Sequence, residues 1–163
     1  MSNLKDRQPG ELDQFDLAIL AILQRDNTTP LRVIGEKVHL SAPAVQRRIK
    51  RLEQEGIIEA NVCVVNGNKI GLPVTIITTV DMESERIDIL NNTKNSFTAT
   101  KEVQQCYYVA GECDFILVLT VATIADYEFL TRKLFFDNSN IKRFRTFVVM
   151  ESVKASLAVP LAS

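Results

Sequence analysis

The apolar positions along this chain follow two different periods. From Leu12 to Leu23, the residues Leu12, Phe15, Ile19, Ile22 and Leu23 recur at three- and four-residue intervals. That is the repeat of one helix face, and Asp26-Asn27 follow as a stop. A second, short helix fits residues 30–37. Pro30 sits in its first turn, where a missing N–H costs nothing, and Leu31, Ile34 and Val38 share a face. Val38-His39-Leu40 makes a tight connection to a third helix, which Ser41 can cap and whose first turn tolerates Pro43. In this third helix Val45, Ile49 and Leu52 stand at i, i+4 and i+7 and face inward. Ala42, Pro43, Ala44, Gln46, Arg47, Arg48, Lys50 and Arg51 are then left mostly outside, and Gly56 ends the helix.

From about Asn61 the period falls to two, and Val, Ile, Thr, Phe and Tyr dominate. Residues 73–80, 102–109, 113–121 and 143–153 read as strands, with Gly111-Glu112 as the turn of the middle hairpin. Between the first two strands Ile87, Leu90 and Phe97 keep helical spacing. Between the last two, Tyr127, Leu130 and Leu134 do the same, behind a Thr123-x-x-Asp126 capping box. The order β-α-β-β-α-β predicts a four-stranded antiparallel sheet with helices on one face. Val62–Val65 reads as a linking strand and the segment NGNKIG after it as a loop.

The expected fold class is therefore α+β: a winged helix-turn-helix domain over residues 11–60, a linker strand and loop over 61–72, and a ferredoxin-like domain over 73–163. The first ten residues are polar, end in Pro-Gly and read as a flexible arm.

At 163 residues and 46% hydrophobic, the chain can bury a sizeable core, and its net charge of −1 creates no global attraction to polyanions. Any signal for nucleic acid must be local, and one is present. Ser41 to Arg51 holds Arg47, Arg48, Lys50 and Arg51 and no acid. A capped helix carrying that charge after a short turn matches the helix-turn-helix arrangement, whose last helix enters the DNA major groove. Ser41, Ala42, Pro43, Ala44, Gln46 and Arg47 lie nearest the helix start, where Gln favours adenine and Arg guanine. Arg48, Lys50 and Arg51 are expected at phosphates or beside neighbouring helices.

Other chemistry is thinly supplied. His39, the single histidine, leaves little material for a multi-histidine metal site or a histidine triad, and it suits a turn position of positive φ. No catalytic residue, metal or cofactor is expected. Three cysteines without CxxC spacing and no apolar leader point to a cytoplasmic protein without a disulfide framework. No apolar run nears the ~20 residues needed to span a bilayer. Cys106 and Cys113 lie in adjacent strands, where core packing is the expectation ahead of a redox role.

The segments LDQFDLAILAILQRD, LSAPAVQRRIKRLEQEGII, KIGL, YYVAGECDFILVL and SVKASLAVPL occur in an order that resembles the Lrp/AsnC (feast/famine) family of transcription regulators, from Leu12 to Leu161. The chain departs from the family at His39, where glycine is common, at Asn61, where an aromatic is usual, and at Ala110, where threonine often precedes the glycine. The resemblance implies double-stranded DNA as a partner and homodimers that build tetramers or octamers. It also implies a small effector, usually an amino acid, held between dimers. Ala110, Gly111, Glu112 and Asp114 would form the effector clamp, with hairpin N–H groups receiving an α-carboxylate and Asp114 the α-ammonium. Plain hairpin chemistry is the competing reading of the same residues. The competing functions are an architectural DNA-binding protein without an effector and an enzyme resembling siroheme decarboxylases.

Overall fold

A computed structural model describes residues 11–84 and 86–161. The expected arm, residues 1–10, lies outside the described residues. The chain divides into two units, one containing residues up to 64 together with the segment from Ala155, the other running from Val65 to Lys154.

In the first unit α1 spans Gln14–Leu23, α2 Leu31–Val38 and α3 Ala42–Gln54. A reciprocal capping box starts α1. Asp13 accepts from the Asp16 amide at 2.8 Å, and Asp16 accepts from the Asp13 amide at 3.1 Å, so two amides that a helix start leaves orphaned are paired. Pro30 occupies the N-cap position, one residue before α2, and makes no side-chain cap bond. His39 leaves α2 at φ 55°, the left-handed conformation expected of it. Gly35 faces the backbone of Leu40 so closely that a Cβ would collide with the Leu40 carbonyl oxygen. That absent side chain is what lets the turn fold tightly onto α2. Ser41 Oγ accepts from the Ala44 amide at 3.4 Å to cap α3. Gly56, at φ 70°, then turns the chain so that the amides of Ile57 and Ile58 donate to the Leu52 carbonyl at 2.9 and 3.1 Å. Ile19, Ile34, Val38 and Val45 form the core of the three helices. Each such side chain contributes about 1.5–3 kcal/mol by leaving water.

Two expectations for this region are corrected. No strand follows α3 among the described residues of the first unit, so the helix-turn-helix carries no wing there. Residues 61–66 form no strand either. Val62 and Val64 are exposed, and no described segment offers them a ladder partner. A 3-10 turn, Gly67–Ile70, follows.

The second unit has the predicted β-α-β-β-α-β order: β1 (Val74–Met82), α4 (Ile87–Thr98), β2 (Val103–Tyr108), β3 (Phe115–Val121), α5 (Ile124–Thr131) and β4 (Ile141–Val148). Its strands lie in the order β2-β3-β1-β4, and every pair is antiparallel. Ile76, Val80, Phe115, Leu117 and Leu119 point to the face covered by Phe97 of α4 and by Tyr127 and Leu130 of α5. The Thr123–Asp126 capping box forms as predicted. Tyr127 carries its hydroxyl into the sheet, 2.9 Å from Thr78 Oγ1 and 2.6 Å from Thr146 Oγ1, so a buried phenol is satisfied on both sides. The opposite face, with Ile77, Ile116, Val118, Tyr107 and Phe147 in register, carries no described helix of this unit.

The ends of β3 and β4 differ from the expectation. β3 begins at Phe115, so six residues rather than a Gly-Glu pair join it to β2. β4 runs Ile141–Val148, and residues 149–161 are irregular. The tail from Ala155, expected as part of the second domain, makes its contacts with the first unit. Gln24, just past α1, explains this. Its side-chain amide accepts from the Val159 N–H at 2.7 Å and donates to the Val159 carbonyl at 3.2 Å, acting as a one-residue strand neighbour for the tail.

Candidate functional site

Helix α3 sorts its polar residues onto two stripes. Pro43, Gln46, Arg47 and Lys50, at i, i+3, i+4 and i+7, are all exposed and form one continuous face without an acid. Ser41, also exposed, stands at its beginning, with Ala42 and Ala44 half-buried beside it. Small residues and a proline there leave the helix start free of bulk, so a duplex edge can come close to the first turn.

Arg48 and Arg51 belong to the other stripe and turn toward α1, the neighbouring-helix placement that the sequence left open beside a phosphate contact. Arg48 Nη1 lies 3.0 Å from Asp13 Oδ2 and 2.8 Å from Asp16 Oδ1, while Arg51 Nη2 lies 2.6 Å from Asp16 Oδ2. Asp16 is fully buried, and the Arg48 side chain is 16% exposed. The Arg48 guanidinium also stands 5.4 Å from the centre of the Phe15 ring. Burial raises the Asp13 carboxyl, but the Asp16 amide and the Arg48 guanidinium outweigh it and hold the group at about 2. Burial lowers Arg48, and its bonds to Asp16 and Asp13 more than restore its affinity for the proton. The basic run of α3 gives no hint of Asp13 and Asp16. Their own signal in the sequence is an Asp-x-x-Asp pair immediately before an apolar helical run, which is a capping box with a second use.

The hairpin expected to hold an effector spans residues 109–114. The Val109 amide donates to the Asp114 carbonyl and the Asp114 amide to the Val80 carbonyl, both at 2.9 Å. The amides of Ala110, Gly111 and Glu112 make no hydrogen bond among the described residues. Gly111 has no positive φ, and a Cβ added to it would meet nothing within 4 Å, so neither turn geometry nor packing demands glycine there. Asp114 is already engaged: its Oδ2 accepts from the Met82 amide at 2.6 Å, tying the start of β3 to the end of β1. Its other oxygen, Oδ1, accepts no hydrogen bond among the described residues. Cys113 is held protonated, first by burial and then by the Asp81 and Asp114 carboxylates. Burial raises Cys106 as well, and all three cysteines are free thiols. Neither thiol beside the hairpin is primed to react.

Comparison with known proteins follows the same division. The AsnC-type helix-turn-helix domain matches residues 12–53, and the Lrp/AsnC ligand binding domain matches residues 75–159. An uncharacterized HTH-type transcriptional regulator of Sinorhizobium fredii is 46% identical, over 93% of this chain and 89% of its own length. The glutamate uptake regulatory protein of Zymomonas mobilis is 36% identical over 93% of this chain and 92% of its own. The crystal structure of an AsnC family transcriptional regulator from Agrobacterium tumefaciens superposes with a TM-score of 0.86 at 28% identity, covering 91% of this chain and 97% of that one. No described helix is long and apolar enough to cross a membrane. Two matched domains in family order, on a helix-turn-helix and a β-α-β-β-α-β sheet, show that this chain belongs to the Lrp/AsnC family of transcriptional regulators.

Proposed function

We propose that the chain acts in the cytoplasm as a homodimeric regulator, without catalytic activity, that reads a specific duplex sequence through the Pro43–Gln46–Arg47–Lys50 face. The observation that carries this reading is the acid-free exposed stripe at the start of a capped helix. Gln46 and Arg47 present the side chains that pair with adenine and guanine edges, and Lys50 stands one turn on, where a phosphate contact sets the register. Selection of duplexes from a random pool, followed by titration of the best one, tests it. Arg47→Ala should weaken that site by about 1–3 kcal/mol and relax the base preference at one position. Unchanged affinity and unchanged preference would remove Arg47 from the interface.

The open face of the sheet supports pairing of two copies, because Ile77, Ile116 and Val118 lie in register there with half-exposed Tyr107 and Phe147. A two-fold pair would present two recognition helices to two half-sites, and further pairing of dimers would give the tetramers and octamers expected of the family.

An amino acid is the proposed effector. The amides of Ala110, Gly111 and Glu112, unpaired among the described residues, suit a carboxylate, and Asp114 Oδ1, which accepts no hydrogen bond among them, suits an ammonium group. A relative 36% identical over nearly the whole chain carries the name of a glutamate uptake regulator, which connects this group of sequences to amino-acid supply. A thermal-shift screen against the twenty amino acids tests the class, since a ligand of the native state raises apparent stability by mass action. Asp114→Asn keeps an acceptor for the Met82 amide and removes the charge. It should abolish the response to the best amino acid while DNA affinity stays unchanged.

A further inference from the structure

We propose that Asp16 is a positioning residue for the recognition helix, and that Arg48 and Arg51 hold α3 in place and do not touch DNA. The inference rests on the DNA-binding reading above and divides the basic cluster of α3 in two.

The geometry is that of a clamp. A fully buried carboxylate at the first turn of α1 receives Arg48 on Oδ1 at 2.8 Å and Arg51 on Oδ2 at 2.6 Å. Asp13, one turn of chain earlier, takes a second bond from Arg48 at 3.0 Å. In these contacts each guanidinium is matched by a carboxylate, so neither arginine presents an uncompensated charge to an approaching phosphate. Withdrawing either arginine toward a phosphate would strip a buried carboxylate of part of its compensation, and that penalty exceeds what one exposed ion pair with a phosphate contributes. Arg47 and Lys50 carry no such obligation. Both are exposed, and neither has an ion pair among the described residues.

The clamp also fixes rotation. Arg47 and Arg48 are consecutive, about 100° apart around a helix of 3.6 residues per turn. Turning α3 by one residue would exchange them and carry Gln46 away from the duplex. Arg48 and Arg51 stand three residues apart on a single stripe, so their joint hold on one carboxylate selects which stripe faces outward. Asp16 acts on DNA recognition only through these two arginines.

The test is a salt series of equilibrium titrations on the duplex selected above, with wild-type protein, Arg47→Ala, Lys50→Ala, Arg48→Ala, Arg51→Ala, Arg51→Lys and Asp16→Asn. Arg47→Ala and Lys50→Ala should each reduce the slope of log K against log salt by about 0.9, one released counterion apiece. Arg48→Ala and Arg51→Ala should leave the slope unchanged while lowering affinity at every salt concentration, by about tenfold, within the range seen for a lost base contact. Arg51→Lys, which retains the single ion pair, should recover most of that loss. A slope reduced by about 0.9 in Arg48→Ala or Arg51→Ala would place that arginine on a phosphate and overturn the proposal. Wild-type affinity in Asp16→Asn, with helical circular dichroism intact, would overturn it as well. Should Arg48→Ala or Asp16→Asn fail to fold, the Arg51 pair of variants decides, since Arg51 holds a single carboxylate. A wild-type chain that binds no duplex would refute the DNA reading itself, a result distinct from binding with the slopes reversed.

Discussion

Single residues here carry more than one duty, and charge alone does not reveal which. Four basic residues in one helix are plain in the sequence. Their division into an outward pair and a clamped pair is not, because the acids that take Arg48 and Arg51 lie more than thirty residues earlier, at the start of α1. Asp13 offers a pH handle on that clamp. Its carboxyl is held at about 2, against an ordinary 3.8, so it contributes stability above its unfolded value and loses that contribution as pH falls from about 4 toward 2. Asp13→Asn should therefore be less stable than wild type at pH 7, and the two proteins should converge near pH 2. Urea unfolding at pH 7, 4 and 2.5 checks this, and a gap that stays constant would remove Asp13 from the ion cluster. Gly111 carries the opposite kind of prediction. Since a Cβ there meets nothing within 4 Å, Gly111→Ala should change stability by less than about 0.5 kcal/mol. If the hairpin amides hold a carboxylate, the same variant should still weaken the response to the best amino acid in calorimetry.

Among the elements, those with a long, regular apolar repeat are legible in the sequence. The five α-helices and the four strands overlap the segments that period predicts, with β3 starting later and β4 ending earlier than expected, and the β-α-β-β-α-β order fixes the sheet. What periodicity cannot show is pairing. Val62–Val65 has the composition of a strand and no described neighbour to make one, while the tail forms no strand and Val159 is held by a side-chain clasp at Gln24. The hairpin residues stand out as a group, but the hydrogen bond that occupies half of Asp114 depends on a register no local pattern encodes. In the turn between α2 and α3 the sequence draws attention to His39, whereas the tighter constraint sits at Gly35. Gly35→Ala would force its Cβ against the Leu40 backbone, which cannot swing aside as a side chain can. A cost of about 1–3 kcal/mol is expected, comparable with overpacking a core. A thermal melt of the variant checks it, and an unchanged midpoint would show that the turn yields freely.

At the scale of the whole molecule, the proposed reading of a DNA sequence calls for two copies. One recognition helix reads too few base pairs to specify a site, and the open sheet face supplies the apolar surface that a second copy would cover. Phe147 is 53% exposed on that face, so Phe147→Glu should leave the fold of one chain intact and shift light scattering from dimer to monomer. The variant should also lose most of its affinity for a two-half-site duplex. The central claim, that paired α3 helices recognise sequence, is tested most directly by a nuclease footprint on a duplex recovered by selection. Two protected half-sites should appear, centred about 10.5 base pairs apart or at a multiple of that spacing, and Arg47→Ala should erase both at the same protein concentration. Continuous protection along the duplex, with no preferred position and no effect of Arg47→Ala, would contradict sequence reading by this helix and leave a protein that coats DNA.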